Sequence, residues 1–454
     1  MAYISIDPYR QTELGRWPSD TDEQLIEKIN LTHSDWRHWK NTSVNIRAGL
    51  LEKLATILEA RRQTYAAIIT SEMGKPVSQS LAEVDKCGSL CRYYASNLGD
   101  LLIEKSVPSG AASSTVRLDP QGIILGIMPW NFPFWQVFRY LVPALAGANA
   151  AVLKHASNVT LSAFAIRDAI RESGFPSNLF NVLLPDHSQM EKIISLPAIR
   201  GVTLTGSNSA GSAIASMSGR YIKKSVLELG GSDPLIVFAD ADISNAAKGA
   251  VTGRFQNCGQ SCIAAKRILV HSNVFDAFMA DFLALVRKMK MGDPSDPDVF
   301  IGPMVNSPAV SEINRQVTRS VAMGAVLLEG GRVSDLGPAF YEPAVMVSVP
   351  NESPVISEEV FGPVAPVMVF SDTEEAVSTA NSSRFGLGAS VWTRDRRLAC
   401  EVAASLDTGT VAVNGFVRSD PALPFGGVKD SGYGRELASE GFKEFLNIKS
   451  VSHY

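Results

Sequence analysis

The chain has 454 residues, of which 45% are hydrophobic and 19% are charged, and its formal net charge is −4. This composition excludes an intrinsically disordered protein, and the length predicts about three domain-sized units. With 42 basic and 46 acidic residues, the chain has no charge excess that would bind it to nucleic acid or to an anionic membrane.

The cysteines and the N-terminal segment indicate a cytoplasmic protein. The five cysteines are Cys87, Cys91, Cys258, Cys262 and Cys400. They are too few and too scattered for a disulfide framework, and free thiols fit a reducing compartment. The N-terminus lacks a basic start followed by an apolar core, and no apolar run reaches the ~20 residues of a spanning helix. We therefore expect no signal peptide and no membrane segment.

Hydrophobic periodicity predicts helices first and then alternating strands and helices. Residues 22–100 repeat apolar side chains at helical spacing, and the small, turn-forming residues of 107–121 indicate an arm or hairpin. The strands predicted next are 122–128, 150–154, 180–184 and 201–206. After Gly230–Gly231 the alternation restarts, with strands 234–238 and 265–271. This order predicts parallel sheets covered on both faces.

Common catalytic fingerprints are missing from the sequence. There is no G-x-G-x-x-G, no phosphate-binding G-x-x-x-x-G-K-[ST], no H-E-x-x-H and no paired C-x-x-C. The six histidines are scattered without the spacing of metal ligands, so we expect no metal.

Cys262 is the first candidate for chemistry. The segment 255–262 joins a predicted helix to a predicted strand, and its glycine and amide residues indicate an accessible loop. A cysteine nucleophile needs a lowered pKa or a nearby base, and the alternative reading is a small buried hydrophobe. Cys258, four residues earlier, could form a reversible disulfide with Cys262, although an idle small residue is the simpler interpretation.

Other polar residues follow the predicted strands. Glu228 precedes a double glycine, where burial would raise its pKa and suit it to act as a general base. Asn131 follows strand 122–128 and could donate to an oxyanion, although it also fits an ordinary turn. The N–H groups after Gly206 and Ser207 could hold a phosphate, and Lys154 adds a cation. Ligands of open α/β sheets bind at these strand ends.

Six motifs resemble those of the aldehyde dehydrogenases, and they follow one another along the chain in the order found in that family. The motifs are PWNFP (129–133), LTGS (204–207), LELGGSDP (227–234), NCGQSC (257–262), EEVFGPV (358–364) and PFGGVKDSGYGRE (424–436). Within this family the chain is most similar to bacterial succinate semialdehyde dehydrogenases. The resemblance implies an α/β fold with a Rossmann-like cofactor domain (1–106 and 122–231), an α/β catalytic domain (232–430) and an oligomerisation arm and tail (107–121 and 437–454). It also implies a homodimer or a homotetramer.

The resemblance further implies roles for residues of the site. Cys262 would be the nucleophile, Glu228 the general base, and Asn131 with the Cys262 N–H the oxyanion hole. Glu436 would assist a proton relay. The residues that would contact the dinucleotide are Trp130, Lys154, Ser157, Gly206, Ser207, Leu229 and Glu359. The thiolate would attack the aldehyde, hydride transfer would leave a thioester, and activated water would release the acid.

The substrate prediction rests on a cation. Arg139 lies eight residues after Asn131, or about 12 Å along a helix, which could place a guanidinium at the mouth of a tunnel to the thiol. There it would bind a distal carboxylate, with Arg418 and Ser419 completing the site. The alternative is a surface ion pair. Many related succinate semialdehyde dehydrogenases carry a second arginine where this chain has Gln256, so Arg418 and Ser419 would take over its work.

Ser157 suggests the cofactor. Many relatives that prefer NAD carry a glutamate at this position, which repels a 2′-phosphate. A serine with Lys154 nearby accommodates that phosphate, so we predict that NADP is preferred and that NAD is possible. Ser157 could also cap the following helix.

Several alternatives remain open. The chain could oxidise other aliphatic or aromatic aldehydes, against which Arg139 argues. An enzyme that acylates coenzyme A would not need Glu228 to activate water. Two further alternatives belong to different functional classes. A cysteine hydrolase or a catalytically silent binding protein would use the same residues without reducing a nicotinamide cofactor.

Overall fold

An antiparallel hairpin and four helices form the N-terminal part of the structure. The structure is a computed structural model and describes residues 2–454. The hairpin is β1 (Ala2–Asp7) with β2 (Thr12–Pro18), and the helices are α1 (Asp22–Trp39), α2 (Val44–Ala60), α3 (Arg62–Met73) and α4 (Val77–Leu101). The helices confirm the pattern of residues 22–100, whereas the hairpin was not predicted.

The predicted arm is a separate three-stranded antiparallel sheet. It contains β3 (Lys105–Ser106), β4 (Ser113–Pro120) and β20 (Leu446–His453), in the order β20-β4-β3. Strand β4 of the predicted arm therefore pairs with strand β20 of the predicted tail. Their role in oligomerisation stays a prediction.

A six-stranded sheet follows, in the order β19-β9-β8-β5-β6-β7. Its strands are β5 (Ile123–Met128), β6 (Ala150–His155), β7 (Phe180–Val182), β8 (Ile199–Thr205), β9 (Lys224–Glu228) and the short antiparallel β19 (Gly432–Tyr433). The helices between them are α5 (Trp135–Ala146), α6 (Thr160–Glu172), α7 (Met190–Ser195) and α8 (Asn208–Arg220). The parallel register places Thr205 beside Glu228. The carboxyl ends of β8 and β9 therefore lie at the same edge of the sheet.

The second large sheet has seven strands, in the order β12-β13-β14-β11-β10-β16-β17. They are β10 (Asp233–Val237), β11 (Ala265–His271), β12 (Val326–Glu329), β13 (Ala344–Val347), β14 (Val364–Phe370), β16 (Gly388–Trp392) and β17 (Thr410–Val413). The helices of this part are α9 (Ile243–Phe255), α10 (Phe275–Arg287), α11 (Ser307–Ala322), α12 (Pro354–Ser357), α13 (Thr373–Asn381) and α14 (Arg396–Ser405). A two-stranded ladder of β15 (Phe385–Gly386) and β18 (Val428–Lys429), and the helix α15 (Ala438–Lys443), complete the structure.

The predicted α/β class is confirmed, and each large sheet has its own hydrophobic core. Strands β5, β6 and β10 are almost wholly buried, as expected of parallel strands covered by helices on both faces. Among residues 2–454 no helix has both the length and the apolar character needed to cross a bilayer. The domain boundaries given above stay a prediction.

Candidate active site

Cys262 follows a tightly folded loop at the start of the second sheet. Helix α9 ends at Phe255, and a single 3₁₀ turn, Gln256–Gly259, leads towards β11. Asn257 and Cys258 have left-handed φ angles of 54° and 55°, which non-glycine residues rarely adopt. At Gly259, with φ +70°, a Cβ atom would lie 2.3 Å from the carbonyl oxygen of Gly362. The loop therefore requires glycine at this position, and it holds Cys262 in a defined place.

Two cavities meet at Cys262. The larger, about 210 Å³, is lined mainly by residues that follow strands of the first sheet, and also by Glu359 and Phe361 from the segment before β14. The smaller, about 90 Å³, extends towards α4, α5 and the segment 416–419. Gln136 also lines both cavities. A ligand in either cavity can therefore reach the thiol.

The thiol of Cys262 is protonated in this environment. Burial raises its pKa to about 12, and the positive charges of Arg139 and Lys266 only partly oppose this shift. The negative charges of Glu228 and Glu359 add to it. At neutral pH the sulfur must therefore lose its proton to a base before it can attack an electrophile.

Asn131 lies just beyond the end of β5 and is almost fully buried. Its Nδ2 donates to the carbonyl oxygen of Gln260 at 3.1 Å, and Asn257 Nδ2 donates to its backbone carbonyl at 2.9 Å. These bonds join the two loops of the site. The amide carries a second N–H, and Asn131 lines the larger cavity beside Cys262. Asn131 Nδ2 therefore keeps one N–H that is not used within the protein.

Glu228 is the last residue of β9 and is 1% exposed. Neither carboxylate oxygen has a hydrogen-bond partner among the described residues. Burial raises its pKa well above the usual range, and the negative charge of Glu436 raises it further, against the opposing charge of Arg139. Glu228 is not among the residues that line the two cavities, and its Oε1 lies close to Gly426. To reach Cys262, this carboxylate would have to turn from the position that it occupies here.

Arg139 lies on α5 and lines the smaller cavity. We expected its guanidinium at the mouth of a tunnel, but the side chain is 2% exposed and its Nε lies 2.7 Å from Glu436 Oε2. Its Nη2 donates to Gln136 Oε1 at 2.5 Å. The difference arises because Glu436, distant in sequence, supplies a buried counter-charge. The alternative of a surface ion pair is also wrong, since both partners are buried.

The predicted dinucleotide residues separate into two groups. Five line the larger cavity: Trp130, Gly206, Ser207, Leu229 and Glu359. Lys154 and Ser157 do not line it; both are partly buried at the end of β6. The predicted cap is absent, because α6 begins after Val159 and Thr160 Oγ1 donates to the backbone carbonyl of Ser157.

Arg418 and Ser419 line the smaller cavity with Arg139. Arg418 is exposed at its rim, whereas Ser419 is 7% exposed. Lys86, which we did not single out from the sequence, also lines this cavity, and its Nζ donates to Ser419 Oγ at 2.8 Å. A lone lysine among the buried residues of an apolar helix face was the available signal.

Cys258 lies apart from this chemistry. It is 1% exposed and packs in the core of the second sheet, where burial raises its pKa to about 12. Both Cys258 and Cys262 are free thiols in the structure. A disulfide between them stays a hypothesis.

Comparison with known proteins adds three findings. A sequence model of the aldehyde dehydrogenase family matches residues 2–451. The succinate-semialdehyde dehydrogenase [NADP(+)] 1 of Mycobacterium tuberculosis strain H37Rv is 42% identical over 454 residues, covering 99% of each chain. A probable succinate-semialdehyde dehydrogenase [NADP(+)] of Synechocystis is 41% identical over 451 residues, again covering 99% of each.

The fold has a close counterpart among solved structures. The succinic semialdehyde dehydrogenase of Streptococcus pyogenes, solved in complex with NADP+, superposes with a TM-score of 0.96. It is 33% identical, and the match covers 99% of both chains.

Proposed function

The chain belongs to the aldehyde dehydrogenase family, and we propose that it oxidises succinate semialdehyde to succinate with NADP as the preferred hydride acceptor. The observation that carries this proposal is a single cysteine at the junction of two cavities. One cavity is lined by five of the residues expected to contact a dinucleotide. The other is lined by Lys86, Arg139 and Arg418, three cations suited to a carboxylate.

The proposed reaction begins with the Cys262 sulfur. The Cys262 thiol loses its proton to solvent, and the thiolate sulfur attacks the aldehyde carbon. The C=O bond becomes a C–O⁻ bond, and Asn131 Nδ2 and the Cys262 N–H donate to this oxygen. Loss of one such donor typically slows a reaction by about 10²–10³-fold. When the oxyanion reforms its double bond, hydride leaves the carbon, and the product is a thioester of Cys262.

Glu228, turned towards the cavity, acts in the second half of the reaction. It removes a proton from a water molecule, which attacks the thioester and releases succinate and the thiol. Burial raises the pKa of this carboxyl group, which makes its carboxylate a stronger base towards water. The positive charge of Arg139, which is paired with Glu436, opposes the effect of burial and lowers the pKa of both Glu228 and Glu436.

The larger cavity fits a dinucleotide. Helix α8 begins beside it, with Ser207 as its N-cap, and first-turn N–H groups favour phosphate oxygens. Trp130 and Leu229 offer apolar surface, and Glu359 is held by the N–H of Gly231 at 3.1 Å and by Lys266 at 3.3 Å. These residues would hold the nicotinamide half, while Lys154 and Ser157 would contact the adenosine half. When bound, the cofactor accepts the hydride.

Removing Arg139 should weaken binding of the charged aldehyde selectively. In Arg139→Ala we expect KM for succinate semialdehyde to rise by roughly 10–150-fold, the effect of losing one charge-assisted hydrogen bond, and KM for butanal to rise far less. Turnover of both aldehydes should also fall, because Glu436 loses its counter-charge. Steady-state kinetics with the two aldehydes provide the measurement. Equal increases in KM would show that Arg139 supports structure only.

Ser157 should control the choice of cofactor. We expect the wild type to favour NADP in kcat/KM, and Ser157→Glu to reverse the order, because the new carboxylate repels the 2′-phosphate. The loss with NADP should be about 10–150-fold. In the control Ser157→Gln, the new side chain has the shape of glutamate but no charge. This variant should therefore retain the NADP preference. A wild type that prefers NAD, or a glutamate variant that keeps the wild-type order, would contradict the assignment.

One assay tests the proposed function. The protein is mixed with succinate semialdehyde or butanal, each with NADP or NAD, and reduced nicotinamide is followed by absorbance. We expect the highest kcat/KM for succinate semialdehyde with NADP. A cysteine hydrolase would act on esters without a dinucleotide, and a silent binding protein would give no signal in any of the four mixtures.

A cytoplasmic homo-oligomer completes the proposal. All five cysteines are free thiols, which persist in a reducing compartment. The three-stranded sheet of β3, β4 and β20 would form the contact between subunits. Sedimentation of the purified protein distinguishes a monomer, a dimer and a tetramer.

A further inference from the structure

The smaller cavity contains a cluster of hydrogen-bond donors around Ser419. Lys86 Nζ and Trp135 Nε1 both donate to Ser419 Oγ, at 2.8 Å and 3.0 Å. A hydroxyl oxygen accepts two hydrogen bonds and donates one. Both acceptor positions of Ser419 are therefore occupied, and the structure gives its hydrogen no acceptor among residues 2–454.

Lys86 likewise has no anionic partner. No carboxylate of the described residues lies within ion-pair distance of its Nζ, which sits 4.2 Å from the centre of the Trp135 ring. Burial and the charge of Arg139 together lower its pKa to about 8. An unpaired cation in such a site is unfavourable unless a ligand supplies the counter-charge.

The acidic residues nearest to Lys86 already have other partners. Glu83, one helical turn before Lys86, forms a buried ion pair with Lys75 and accepts from the N–H groups of Phe134 and Trp135, at 2.9 Å and 3.0 Å. Asp420 is exposed and accepts from the Ala422 N–H at 2.9 Å. Neither therefore neutralises Lys86.

Arg139 differs from Lys86 in this respect. Its guanidinium is already paired with Glu436 and Gln136. An incoming carboxylate would share Arg139 with an internal anion, but it would have Lys86 to itself. The donors in this cavity that do not share an internal anion are thus Lys86 Nζ and the Ser419 hydroxyl, together with the exposed Arg418.

We propose that Lys86, together with the Ser419 hydroxyl, binds the carboxylate of the substrate directly and so determines the specificity of this enzyme for aldehydes that carry a distal negative charge. This inference rests on the proposed function, since it names the residue that recognises the far end of the substrate. Trp135 is a positioning residue, because it holds Ser419 and covers the lysine.

The test compares charge removal with charge retention at position 86. In Lys86→Met, kcat/KM for succinate semialdehyde should fall by roughly 10–150-fold, whereas kcat/KM for butanal should change by less than about threefold. Lys86→Arg keeps the charge and should retain most of the preference for the charged aldehyde. The matched control is Lys53→Met, which removes an exposed lysine from α2 and should change neither value. Thermal melting checks that each variant is folded.

The outcomes separate this inference from the proposed function. A wild type that does not prefer succinate semialdehyde to butanal overturns both. A wild type with that preference and a Lys86→Met variant that retains it overturns the role of Lys86 alone, as does an equal loss on both aldehydes. If Lys86→Met does not fold, Lys86→Gln is measured instead. It can still donate to Ser419, and the same selective loss is expected because the charge is gone.

Discussion

Cys262→Ala should abolish oxidation of every aldehyde, with kcat/KM reduced by at least about 10⁴-fold, as when a covalent nucleophile is removed from other enzymes. The reason is positional: Cys262 is the cysteine that lines both cavities, next to the amide of Asn131. The alanine leaves the lining of the larger cavity otherwise unchanged, so binding of NADP should persist. Formation of reduced nicotinamide measures the first effect, and protein fluorescence during titration with NADP measures the second.

The matched control is Cys258→Ala. Cys258 is buried in the core of the second sheet and does not line either cavity. We expect this variant to be somewhat less stable and to keep its turnover. Normal activity in Cys262→Ala would refute the covalent mechanism, and loss of activity in both variants would point to damage of their shared loop.

Glu228→Gln should separate the two halves of the reaction. We expect a rapid burst of about one reduced nicotinamide per site, because thioester formation still proceeds, followed by steady turnover lowered by about 10²–10⁴-fold. The amide has the same shape but cannot take a proton from water. Stopped-flow absorbance measures the burst. Glu374→Gln, an exposed change on α13, should behave as the wild type.

The raised pKa of Glu228 predicts that turnover depends on pH. A buried carboxylate with a raised pKa becomes protonated, and inactive as a base, at a higher pH than an exposed one. In the wild type, kcat should therefore fall as the pH is lowered through this raised pKa. Glu228→Gln should lack that decline. A variant with neither burst nor thioester would exclude the role in water activation.

Local patterns were sufficient to predict much of this molecule. Alternating apolar segments and turns identified β5, β6, β7 and β8 of the first sheet and β10 and β11 of the second. The rule that ligands bind at the carboxyl ends of parallel strands placed Asn131 and Glu228 at one edge of the first sheet. The hairpin β1–β2 was missed, because its second strand is largely exposed and lacks a clear apolar alternation.

The polar partners could not be predicted from local patterns. The ion pair between Arg139 and Glu436 joins α5 to the segment before α15, and the bond between Lys86 and Ser419 joins α4 to a loop after β17. Periodicity carries no information about such pairs, since each depends on how distant elements pack. Arg139, whose guanidinium was expected to be free, is therefore paired with a carboxylate, whereas Lys86, which was not singled out, has no carboxylate partner.

The central claim is that Cys262 carries the acyl group of the substrate after a dinucleotide has taken up the hydride. The most direct measurement is the mass of the peptide containing Cys262 from Glu228→Gln, quenched in acid after mixing with succinate semialdehyde and NADP. We predict that this peptide gains the mass of a succinyl thioester, and that the gain is absent without NADP. An unmodified peptide, an adduct on Cys258 in its place, or the same adduct without NADP would contradict the account.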